Sequence, residues 1–71
     1  MQTKLRERAV GILMAECGLD EAAARAALEA TEWNLPVALV MQQAKVSREM
    51  AEAALRKHGA SVVRAVAELA A

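Results

Sequence analysis

Sliding this chain against itself by 27 residues brings two similar stretches into register, and no other feature constrains its fold as strongly. AVGILMAECGLDEAAARAALEATEWNLPVAL falls on PVALVMQQAKVSREMAEAALRKHGASVVRAV. Val10 falls on Val37, Met14 on Met41, Ala24 on Ala51, Leu28 on Leu55 and Ala38 on Ala65. Alanine matches carry little weight in an alanine-rich chain. The apolar pairs Leu19/Val46, Leu35/Val62 and Leu39/Val66 carry more, as do the turn residues Asp20/Ser47 and Asn34/Ser61. The offset is shorter than the unit it repeats, so the third helix of one copy must also be the first helix of the next. Repeats of this kind bury their apolar faces against neighbours. The expected architecture is all-α: one domain of five short helices, in overlapping three-helix units of about 4–44 and 35–71.

Punctuation places the helices. Gly18 suits a left-handed helix end and Asp20 opens the next segment, with Leu19 before that cap placed to staple onto Ala24. Asn34 is the next cap, with Pro36 in the first turn, where a missing N–H costs nothing. Ser47 and Ser61 cap the last two segments, and Gly59 closes the one between them. The predicted helices are Lys4–Cys17, Glu21–Thr31, Leu35–Ala44, Arg48–His58 and Val62–Ala70. Apolar residues recur at helical spacing: Leu5, Ala9, Ile12, Leu13 and Cys17 on the first, Ala24, Ala27, Leu28 and Thr31 on the second, and Ala51, Ala54, Leu55 and His58 on the fourth. No window shows the alternation of a half-buried strand. Linkers of two to three residues fold neighbouring helices back on each other.

Composition then narrows the function. Nine basic and nine acidic residues leave a net charge of zero, which argues against nucleic acid, since phosphate binding needs a basic surplus. No apolar run is long enough to span a bilayer, and the N-terminus leads into no signal-peptide core. One cysteine and one histidine cannot supply a structural metal site, and a lone thiol fits the reducing cytoplasm. No cofactor motif is present.

The stretch ILMAECGLDEAAARAALEATEWNLPVALVM resembles a ubiquitin-associated (UBA-like) three-helix unit. That pattern has an apolar first helix, a Met-Gly-Phe/Tyr turn, an A-x-x-A-L second helix and an Asn-capped third. The order LRERAVGILM, CGLDEAAARAALEA, VALVM and VSREMAEAALRKHGASVVRA resembles the C-terminal helical region of bacterial N-acetylmuramic acid 6-phosphate etherases, from about Lys4 to Val66. The resemblance implies a non-catalytic assembly or lid domain of a lyase that releases lactate during cell-wall recycling, with a separate sugar-isomerase-type domain carrying the chemistry. Its protein partner would be its own catalytic domain or a second subunit in a homodimer. The alternative is a free-standing UBA-like module binding ubiquitin or another protein, and a third is a translation-factor-like module on a large protein partner. Two departures stand out. Leu19 replaces the loop aromatic, and Ala44-Lys45-Val46 lacks a glycine, leaving the second turn free to differ from the first.

No catalytic constellation emerges. The i, i+3 carboxylate pairs Glu29/Glu32 and Glu49/Glu52 read as solvated helix surface, and Cys17 lies on an apolar stripe with no neighbouring base. His58 suits a helix C-terminus, where a cation complements the dipole. Arg56 and Lys57, with Lys45, Arg48 and Arg64, bias the second half basic, while Asp20–Glu32 is acidic; both read as ordinary solvated faces. The expected protein-interaction surface comprises Cys17, Gly18, Leu19, Trp33, Val40 and Met41. For Trp33 two roles stay open: an exposed anchor for a partner, or a cover over the helix ends and the small core.

Overall fold

The computed structural model describes residues 3–70 and is helical throughout. The elements are α1 (Thr3–Cys17), α2 (Glu21–Ala30), α3 (Leu35–Ala44), α4 (Arg48–Lys57) and α5 (Val62–Ala70). These bounds lie within one residue of those read from the caps. The cap chemistry explains why: four side chains satisfy amide donors that each first turn leaves without a partner. Asp20 accepts from the Ala23 amide, Asn34 from Val37, Ser47 from Met50 and Ser61 from Arg64.

Two small apolar cores lie on either side of α3. Val10, Leu13, Ala24, Leu28 and Ala38 form the first; Val37, Val40, Ala51, Ala54, Leu55 and Ala65 form the second. Adding 27 to each member of the first core gives a member of the second. α1 and α2 pack on each other and on α3; α4 and α5 do the same from the other side. The two outer pairs do not pack on each other among the described residues; polar contacts from Arg48 to the end of α2 join them. α3 is therefore apolar on two flanks, Ala38 facing one core while Val37 and Val40 face the other. The fold is two overlapping UBA-like three-helix units that share α3.

One apolar stripe differs from expectation. On α1 the buried line runs through Val10 and Leu13, with Ala9, Met14 and Cys17 half-buried, while Leu5 is 62% and Ile12 36% exposed. Val10, Leu13, Met14 and Cys17 follow the i, i+3, i+4, i+7 rule. Leu5 and Ile12 stand on the flank of that stripe, beyond the reach of α2 and α3.

The turns repeat more faithfully than their residues do. Gly18 has φ of 66°, and Lys45, 27 positions on, sits in the same left-handed region with φ of 58° and ψ of 49°. The absence of glycine in the second turn therefore does not change its geometry. The amides of Gly18 and Lys45 bond to the equivalent carbonyls of Met14 and Met41. The longer turns match as well. Glu32 and Trp33 both have positive φ, as do Gly59 and Ala60. The amide of Trp33 reaches back to the Leu28 carbonyl (2.6 Å), and that of Ala60 to Leu55 (2.7 Å).

Candidate protein-interaction surface

The α1–α2 turn forms where the chain must leave α1 in a left-handed conformation and re-enter helix at the Asp20 cap. This leaves Gly18 exposed, with Cys17 and Leu19 half-buried against the first core. No side chain overhangs Gly18: a Cβ built there meets nothing within 4 Å. The Cys17 thiol is pushed above its ordinary value, first by burial and then by the neighbouring Glu16 carboxylate, with Lys45 opposing. It is a poor nucleophile at neutral pH.

The remaining expected residues divide. Met41 is half-buried against the second core and keeps an accessible edge. Val40 is fully buried in that core and cannot touch a partner directly. It supports the surface from beneath, because α3 must fill a core on this flank as well as on the other. Trp33 lies away from the α1–α2 turn. Its ring packs half-buried against the first core and lines an open hollow together with Leu5, Arg6 and Ala9. The Arg6 guanidinium stacks 4.7 Å from the ring centroid, a cation–π contact of about 0.5–1 kcal/mol at a partly exposed site. Of the two roles left open, covering the helix ends is the one the packing supports.

The charged candidates serve the scaffold. Arg48, at the start of α4, donates to Glu52 (2.9 Å), to Glu32 (3.2 Å) and to the Ala30 carbonyl (3.3 Å), which ties α4 to the end of α2. The hydrogen bonds to Glu52 and then Glu32 raise its pKa. Glu32 and Glu52 are thereby paired with a cation and not with another carboxylate. His58 caps α4 at its C-terminus, and its Nε2 pairs with Glu68 of α5. Lys57 reaches the same carboxylate at 3.2 Å. The two contacts hold Glu68 below the usual carboxylate range, the His58 hydrogen bond contributing most. Neither the Arg48 clamp nor the Glu68 pairings were readable from sequence, since each joins residues on different helices. Thr31, the one buried polar residue among the described residues, donates its hydroxyl to the Leu28 carbonyl at 3.1 Å.

Among the described residues no three His, Cys, Asp or Glu side chains gather to hold a metal ion, and no helix is long and apolar enough to cross a membrane. Comparison with known families points the same way as the three-helix geometry. A sequence model described as the HYPK UBA domain matches residues 37–70, which spans nearly all of α3 and the whole of α4 and α5. The second unit is thus similar in sequence to a UBA domain, and a UBA domain is a protein-interaction module. No curated protein and no solved structure gives a match.

Proposed function

We propose that this chain is a non-catalytic protein-recognition module of the ubiquitin-associated kind. The observation that carries the reading is the similarity of residues 37–70 to the HYPK UBA domain. The 27-residue repeat extends that similarity to the first unit. The partner is a protein, received at the Cys17-Gly18-Leu19 turn and the accessible edge of Met41 on α3. By repeat equivalence, Ala44-Lys45-Val46 offers the second unit's version of the same turn. The half-buried Leu19 and Val46 suit a modest apolar contact, and such contacts bind in a polar-rimmed, low-area regime. An NMR titration with ubiquitin tests it: the amides of Gly18, Leu19 and Met41 are expected to shift in a saturable way. Absence of any shift at millimolar ubiquitin removes ubiquitin as the partner.

The overlapped repeat supports a second, finer reading, in which the module is the C-terminal assembly or lid part of an N-acetylmuramic acid 6-phosphate etherase. The family match favours general protein recognition over this reading, because it points to a UBA domain with no sugar-phosphate chemistry attached. The reading frame upstream of Met1 in the source genome decides it. A sugar-isomerase domain there supports the etherase setting, and its absence rules that setting out.

A further inference from the structure

The outer face of α1 carries apolar surface that neither core uses. Residues four apart share a helix face, which here aligns Arg8, Ile12 and Glu16, with Gly11 and Ala15 alongside; all five are exposed. The 27-residue register shows what this face corresponds to. Arg8, Gly11 and Ile12 stand where α3 has Leu35, Ala38 and Leu39, and those three α3 residues pack against the first core. At the edge of the molecule, α1 thus presents the side that α3 uses to receive another helical pair.

The charges on this face say what fits. Arg8 and Glu16 lie about 6 Å to either side of Ile12 along the helix axis. Neither takes part in an ion pair among the described residues. Lys4, Arg6 and Arg8 outweigh Glu7 at the start of α1, while Glu16 near its end, with Asp20 in the following turn, makes that end acidic.

We infer that a second copy of this chain docks here, α1 against α1, antiparallel about a two-fold axis at Ile12. A two-fold interface is self-complementary, so each residue pairing occurs twice. Arg8 of each copy meets Glu16 of the other, and the two Ile12 side chains meet on the axis. Gly11 and Ala15 let the backbones approach. A parallel arrangement would stack basic on basic and acidic on acidic, which opposes that orientation. The inference uses residues other than the recognition turn and does not rest on ubiquitin-type binding. The buried area is small, so the association is weak, with Kd on the order of 0.1 mM, and it weakens as salt rises.

Sedimentation equilibrium of the full chain, from micromolar to millimolar concentration at low salt, tests this. Wild type should dimerise reversibly. Arg8→Glu and Glu16→Arg should each weaken the dimer about tenfold or more, and the double variant should recover it, because the pairs re-form with reversed polarity. All these side chains are exposed, so helical circular dichroism should be unchanged. A wild type that stays monomeric at millimolar concentration overturns the inference. So do single variants that associate like wild type, or a double variant no better than the singles. The single variants should still respond to ubiquitin at Gly18 and Leu19 if the recognition reading holds, so the two ideas fail separately.

Discussion

Replacing Lys45 by glycine should make this protein more stable. Lys45 sits at φ of 58° and ψ of 49°, where an L-residue pays about 1–2 kcal/mol for the closeness of Cβ to the following carbonyl. Glycine removes that strain but costs about 0.5–1 kcal/mol in extra freedom of the unfolded chain. The side chain is exposed and makes no hydrogen bond or ion pair among the described residues, so little else changes. The net gain for Lys45→Gly is about 0.5–1 kcal/mol, which in a domain of this size raises Tm by about 2–8 °C. The molecule carries its own mirror experiment. Gly18 holds the equivalent position at φ of 66° with open space where a Cβ would stand, so Gly18→Ala should lose a similar amount through backbone strain alone. Lys45→Ala keeps the strain and should be nearly neutral, separating backbone from side chain. Thermal and urea unfolding of the three variants provide the measurement. A Lys45→Gly variant that is neutral or less stable than wild type refutes the reasoning.

Leu28 is fully buried, and Leu28→Ala should cost about 2–5 kcal/mol; against a total stability of about 4–10 kcal/mol for a chain of this length, urea melts should show a large fall in midpoint. Trp33→Ala should cost about 2 kcal/mol through lost packing and the Arg6 contact; the backbone tolerates it, since Ala60 holds the equivalent position at φ of 67°, and an unchanged Tm would contradict the packing role. Because Glu68 is held below its ordinary range by His58 and Lys57, its contribution is present above the unfolded carboxylate pKa and is lost as pH falls through the lower folded value. Acid titration of stability should show this loss in wild type, and Glu68→Gln should remove that part of the pH dependence.

The parts of the fold legible in the sequence were those fixed by neighbours in the chain. Asp20, Asn34, Ser47 and Ser61 act on amides three residues away, so the helix starts could be read directly. The shared α3 was legible because the repeat offset is shorter than the unit. Features that join distant residues were not. Leu5 and Ile12 look like core at helical spacing, and only the positions of α2 and α3 reveal that nothing covers them. Val40 reads from its neighbours in sequence as α3 surface, whereas the second core with α4 and α5 buries it completely. Lys45 gives no local sign of a left-handed backbone; the signal was there in the repeat, since its counterpart is Gly18. Trp33 could not be assigned without knowing that Arg6 and Ala9 lie beneath the turn.

The sharing of α3 also decides how the molecule opens. If α1 and α2 detach, α3 uncovers Ala38 and the half-buried Leu35 and Leu39, while the second core keeps Val37 and Val40 covered. If α4 and α5 detach, the first core keeps Ala38 covered. In native-state hydrogen exchange, where partial openings come in cooperative blocks, the outer pairs should each exchange through their own opening. α3 packs against both blocks and is released only when both are lost. Its central amides should therefore exchange last, although it lies in the middle of the chain and is no longer than its neighbours α2 and α4.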